Sequence, residues 1–207
     1  MTIRNIVFAI LFATLAMPAA AQQLTSSEIQ AAIAAGADKK PGDIGLFLEN
    51  NGGAFRASLP MKLVIFSPSE WIELVSAKAA QRFQNLTASG VSSEMSRPVL
   101  RVVAAPGSSI SVLVVRNTSK NQVVQPISEE FCSEAMNFGG GFLGTVSPDC
   151  KIFVFPLQDV QNLRDEDGEF LITLRAVGSA FGTGAPSEIN KDFEVKRKHL
   201  NKLPGLR

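Results

Sequence analysis

KLVIFSPSEWIELVSAKAAQRF, residues 62 to 83, decides the fold class, because a strand runs straight into a capped helix within it. Lys62 to Phe66 is a short apolar run that reads as a buried strand. Ser67 then stands at the N-cap, Pro68 suits the first helical position, and Glu70 completes a capping box with Ser67. Phe66 and Trp71 have the spacing of a hydrophobic staple. Ile72, Val75, Ala79 and Phe83 fall on one helical stripe, so the spacing predicts a helix over 68–84. Glu70 and Glu73 sit near its positive end, Lys78 and Arg82 near its negative end.

The same start signal occurs once upstream. In Leu24-Thr25-Ser26-Ser27-Glu28-Ile29, Thr25 and Glu28 form a second capping box, with Leu24 and Ile29 as the staple. This helix is expected to stop at Gly36. Ile44 to Leu48 and Phe55 to Leu59 are read as strands paired across Asn50-Asn51-Gly52-Gly53.

After residue 98 the chain reads as strands. Val99 to Ala104 and Ile110 to Arg116 flank Pro106-Gly107, which is expected to be a hairpin turn. Asn117 to Asn121 is a second turn, before Gln122 to Ile127. Lys151 to Phe155 alternates in part. In Glu169 to Val177, Phe170, Ile172 and Leu174 point one way, and Leu171, Thr173 and Arg175 the other. Phe193 and Val195 mark a last strand. The fold class expected is α+β, mostly antiparallel, with a sandwich-like C-terminal half and two helices in the N-terminal half. One domain spans 22–207, with a possible sub-boundary near 84–97. Trp71 precedes both cysteines, so the Cys, Trp, Cys order of an antibody-type domain is absent.

The first 21 residues read as a signal peptide. Arg4 supplies the positive start, and Ile6 to Ala16 is an apolar stretch free of charge, followed by Pro18. Ala19-Ala20-Ala21 offers a cleavage site before Gln22. A spanning helix needs roughly 20 apolar residues, so this stretch is too short to remain as an anchor. No cysteine lies near the cut to take a lipid. Removing 21 of the 207 residues leaves 186, and removes one of the 20 basic residues against none of the 19 acidic ones, so the mature chain is formally neutral. That balance argues against nucleic acid as partner, since phosphate binding draws on surplus Lys and Arg. No later segment is apolar for long enough to span a bilayer. Cys132 and Cys150, an even count in an exported chain, are expected to form a disulfide.

The chemistry-bearing motifs are sparse. There is no G-x-S-x-G elbow, and the one histidine, His199, stands among Lys196, Arg197 and Lys198, which disfavour its protonation. It reads as a residue of an exposed tail. The stretch from Lys191 to Arg207 holds six basic and two acidic residues, and reads as a solvated tail, with attachment to an anionic envelope component as the functional alternative.

Asp165-Glu166-Asp167-Gly168-Glu169 is the densest acidic run. Asp165, Asp167 and Glu169 are the candidate calcium ligands, but the run lacks the third acidic position of a calcium loop ahead of its Gly, and the distal Glu. The simpler reading is a polar turn with Gly168 at positive φ. Gly139-Gly140-Gly141 and Gly182-Thr183-Gly184 lack the Lys-Ser/Thr or the dinucleotide spacing of a phosphate cradle, and no cofactor is expected. One Trp, no Tyr and 14 Phe suit a core better than a sugar-binding platform.

These readings converge on an exported, non-catalytic binding, adaptor or structural protein of the cell envelope or exterior, with a protein or envelope component as its partner. The alternative is a secreted hydrolase using carboxylates near Asp165, Asp167 and Glu169.

Overall fold

The computed structural model describes residues 23–49, 62–105, 107–117, 119–132, 149–164, 169–179 and 186–203. The proposed signal peptide, the strand expected over Phe55 to Leu59, both glycine-rich stretches, and Asp165 and Asp167 lie outside them.

Helix α1 (Ser26–Ala37) starts at Thr25, whose side chain accepts from the Glu28 N–H while the Glu28 carboxylate accepts from the Thr25 N–H at 2.7 Å. Helix α2 (Pro68–Gln81) starts with the same reciprocal pair, Ser67 and Glu70. Its end departs from the stripe: the helix stops at Gln81, and Phe83 adopts φ 57° and is 99% exposed. Ile72 of the expected stripe is fully buried, and the buried face continues through Trp71, Leu74 and Ala77. Nor does Gly36 end α1. It lies inside the last turn, where the two helices cross closely enough that a Cβ on Gly36 would sit 2.2 Å from the Glu73 carbonyl oxygen.

Nine strands form two antiparallel sheets among the described residues. The first has the order β1-β2-β3-β7-β6, comprising Leu46–Glu49, Lys62–Phe66, Val99–Ala105, Lys151–Pro156 and Ser128–Phe131. The second has the order β5-β4-β8-β9, comprising Gln122–Val124, Ile110–Asn117, Phe170–Ser179 and Pro186–Val195. Helix α3 (Leu157–Leu163) follows β7, and a short α4 (Arg197–Leu200) follows β9. The mixed, mostly antiparallel α+β class matches the sequence reading.

Residues 84–97 connect α2 to β3, and β2 and β3 are neighbours in one sheet, with Val64 opposite Val103.

Alternation explains why β2 reads as an unbroken apolar run. Leu63 and Ile65 face the core between the sheets with Leu100, Val102, Phe153 and Phe155. Val64 and Phe66 face the other way, into a second core under α2 with Trp71, Leu74, Val103 and Ile152. A central strand covered on both faces needs apolar residues at every position. The second sheet supplies Leu113, Val115, Ile172, Leu174 and Phe193 to the shared core. Its outer face mixes apolar and charged residues: Val112 is 41% exposed, and Asp192 accepts from Thr173 Oγ1 at 2.7 Å and pairs with Arg116 at 2.8 Å.

The strand expected at Phe55 to Leu59 lies outside the described residues, so its pairing with Ile44 to Leu48 is not observed; β1 pairs with β2, Leu46 opposite Ile65. One other pairing differs from expectation. β3 and β4 do not form a hairpin, because they belong to different sheets. Residues Gly107–Ser109 make a tight helical turn that carries the chain from one sheet to the other. Asp149 holds that turn, accepting from the Ser108 N–H at 2.6 Å and from Ser108 Oγ at 2.5 Å. The hairpin at Asn117 to Asn121 does form, joining β4 to β5 with Asn117 opposite Gln122.

The C-terminal stretch is not a free tail up to Leu203, since that side chain is fully buried in the core between the sheets.

Candidate functional site

The chain leaves β5 at the edge of the second sheet and enters β6 at the edge of the first within four residues, Val124 to Ser128. Beside this crossing an open groove of about 410 Å³ is lined by β5, by Gln125 and Ile127, and by α3 through Asp159, Asn162 and Leu163. Val123 and Ile127 are 53% and 50% exposed, two of five exposed large apolar side chains among the described residues. Gln122, Gln125, Asp159 and Asn162 place amide and carboxylate groups around them. Such a mixture of apolar floor and hydrogen-bonding rim is the composition of ligand sites.

The groove has fixed walls. Asn117 accepts with Oδ1 from Ser119 Oγ at 2.6 Å and from the Lys120 N–H at 3.0 Å, which shapes the β4–β5 turn. Its Nδ2 donates to the Leu163 carbonyl at 2.8 Å. Lys120 Nζ donates to the carbonyls of Asn162 and Arg164. The last carbonyls of α3 are therefore satisfied by the hairpin, which locks one wall to the other. On the opposite side the Ile127 N–H donates to the Val154 carbonyl at 2.8 Å. Sequence reasoning placed Asn117 in a turn but missed α3; Leu157, Val160 and Leu163, all buried, carry the three-residue spacing that would have found it.

Beyond the groove, β6 and β7 are joined by the disulfide expected from the sequence. Cys132 and Cys150 lie 5.4 Å apart at Cα, and the Cys132 N–H donates to the Cys150 carbonyl at 2.9 Å, continuing the β6–β7 register.

Glu169, the one calcium candidate among the described residues, accepts from the Arg197 N–H at 3.5 Å and lines a shallow pocket of about 120 Å³ with Arg116 and Glu194. Glu194 pairs with Lys196 at 2.9 Å, so cations already face these carboxylates. No group of three or more potential metal ligands occurs among the described residues.

His199 is half-buried. Its Nδ1 accepts from the Lys196 N–H at 3.2 Å, and burial, helped by Lys198, Lys202 and Lys196, holds its pKa below the ordinary value.

Two buried charged groups lie under the helical layer. Arg101 on β3, 4% exposed, has its guanidinium 5.0 Å over the Trp71 ring and donates through Nη2 to the Glu94 carbonyl at 2.7 Å. Its Nη1 is buried without a hydrogen-bond acceptor, and burial draws its pKa down to about 10. Burial likewise raises the Glu70 carboxyl to about 7, against the lowering effect of the Ser67 N–H and hydroxyl. Both groups are enclosed by packing and serve the helix–sheet interface.

Among the described residues no helix is long and apolar enough to cross a membrane. No protein-family model, curated protein or solved structure matches this chain.

Proposed function

We propose that the protein is an exported, non-catalytic binding module of the cell envelope or exterior, and that it holds its ligand in the groove between β5, Ile127 and α3. The observation that carries this reading is the convergence of half-exposed Val123 and Ile127 on an open groove whose walls are tied together through Asn117 and Lys120. Apolar side chains left in water at a concave, polar-rimmed surface favour a binding role over a purely structural one. The signal-peptide pattern and the disulfide are consistent with an oxidising compartment.

Thermal unfolding of residues 22–207 against peptides, envelope sugars and calcium tests the proposal. A ligand at 100 times its Kd adds about 2.7 kcal/mol and raises the midpoint. Replacing both Val123 and Ile127 with Ser is expected to abolish that rise, with the unliganded midpoint lowered only by the partial burial that the two half-exposed side chains lose. A ligand shift that survives both substitutions would place binding elsewhere.

A further inference from the structure

We infer that β6 is a docking strand, which takes up an extended, cationic peptide segment of a partner protein on the edge of the first sheet that no described element covers. This inference rests on the binding-module reading and names the partner's chemistry. β6 ends the sheet order, with β7 on one side and no described element on the other, and all four of its residues are exposed. Sheet edges are usually blunted by proline, charged side chains, a covering helix or shortness. α3 packs beside the edge strand β5, and β9 carries Lys191, Asp192 and Glu194 along its length. Ser128-Glu129-Glu130-Phe131 is also short and charged, but its charges are of one sign and stand beside the exposed Phe131 ring, so an edge that repels an acidic strand still suits a cationic one.

The geometry fixes which groups an incoming strand would meet. The Cys132 N–H points at β7, where it reaches the Cys150 carbonyl at 2.9 Å. Alternation along an antiparallel ladder then turns the backbone groups of Glu129 and Phe131 outward. The side chains of Glu129 and Phe131 share a face, because both meet Lys151: Glu129 pairs with its ammonium at 3.4 Å, and the Phe131 ring centroid lies 5.4 Å from it. Phe131 remains 62% exposed, and Ile127 marks the other end of the strand at 50%. Glu130 projects to the opposite face.

Charge selects the occupant. Pairing β6 with β6 of a second copy about a two-fold axis at Glu129 or Glu130 would set that glutamate against its own copy, and like charges directly opposite destabilise a sheet. A strand with Lys or Arg opposite the two glutamates, and apolar residues opposite Phe131 and Ile127, meets complementary groups at each position instead. Main-chain hydrogen bonds then supply attachment and the side chains supply selection.

The probe is a labelled peptide, Ac-Thr-Val-Lys-Lys-Thr-Val-Thr-NH2, titrated against the purified full chain by fluorescence anisotropy, with amide hydrogen exchange read in parallel. The expected result is saturable binding with at least about tenfold slower exchange at the Glu129 and Phe131 amides and little change at Glu130, whose N–H already faces β7. Methylating alternate peptide nitrogens is expected to weaken binding at least about tenfold, as is the double substitution Glu129→Gln with Glu130→Gln, both at exposed positions. Replacing the peptide's lysines with glutamates should abolish binding.

Equal binding of the methylated peptide would overturn strand addition in favour of surface charge alone. Absence of binding, or protection outside β6, would also overturn it. If the cationic peptide fails while another ligand shows the Val123- and Ile127-dependent thermal shift, the docking strand is wrong and the binding module stands. If both are flat, both fall.

Discussion

The Ser67 N–H donates to the buried Glu70 carboxylate at 2.8 Å, so the group that caps α2 is also an ionisable group held away from water. Glu73 on the same helix opposes its charge, and Lys39 near the end of α1 favours it, but burial dominates and sets the carboxyl at about 7 against an ordinary 4.5. Between those two values the folded chain keeps a proton that the unfolded chain has lost. This stabilisation is present in full below pH 4.5 and disappears as pH rises through 7. Its upper bound is roughly 3 kcal/mol. Glu70→Gln keeps an oxygen for the Ser67 N–H without the charge. The variant is expected to melt higher than the parent above pH 7 and to lose the decline between pH 4.5 and 7. Parallel melting profiles for the two proteins would show that Glu70 is not the titrating group.

Gly36→Ala should destabilise the protein, against the usual gain of about 1 kcal/mol for this change inside a helix. The added Cβ would lie 2.2 Å from the Glu73 carbonyl oxygen and 2.7 Å from its Cα, and neither backbone atom can swing aside. A net loss of about 1–3 kcal/mol is expected in urea unfolding. A neutral or stabilising result would mean that α1 and α2 cross farther apart than this.

Both capping boxes, the run at Lys62 to Phe66 and the alternation of Phe170, Ile172 and Leu174 were legible in the sequence because each is decided by local chemistry. What could not be read was which sheet a strand joins. Pro106-Gly107 looks like a hairpin turn locally, yet β3 and β4 part there because the faces of Leu100 and Leu113 meet across the core between the sheets. Phe83 fits a helical stripe, but its positive φ follows a helix that has already ended. The candidate site was invisible for a related reason. Val123 and Ile127 read as ordinary strand residues, and their exposure depends on α3 and on two sheet edges converging. β6 itself, Ser-Glu-Glu-Phe, has no strand signature in isolation and exists through its pairing with β7.

The Cys132–Cys150 bond closes a loop with a sequence separation of 18 at the end of the β6–β7 ladder. In the chain-entropy model a loop of this size contributes about 3 kcal/mol. The double substitution Cys132→Ala with Cys150→Ala is expected to lower stability by about that much, measured by urea unfolding of oxidised samples. Hydrogen exchange at Glu130, whose amide faces β7, should accelerate more than exchange in β2 or β3. Uniform acceleration across the first sheet would show that the bond acts on global stability without holding the β6 edge in particular.

Leu203 tests whether the basic C-terminal stretch is part of the folded body. Composition alone suggested a solvated tail, since Lys196, Arg197, Lys198 and Lys202 are charged, yet Leu203 is fully enclosed in the core between the sheets. A buried leucine cut to alanine loses its transfer energy and leaves a cavity, which costs about 2–5 kcal/mol. Leu203→Ala is therefore expected to lower stability by that amount, whereas Lys202→Ala, one residue away and exposed, should stay within about 0.5 kcal/mol. The contrast matters for the charges as well as the core. With Leu203 seated, the segment 196–203 is held in a fixed place, where Lys196 pairs with Glu194 at 2.9 Å and the Arg197 N–H reaches Glu169. Equal and small losses for both variants would mean that this segment does not dock, and that its cations are as free as their composition first implied.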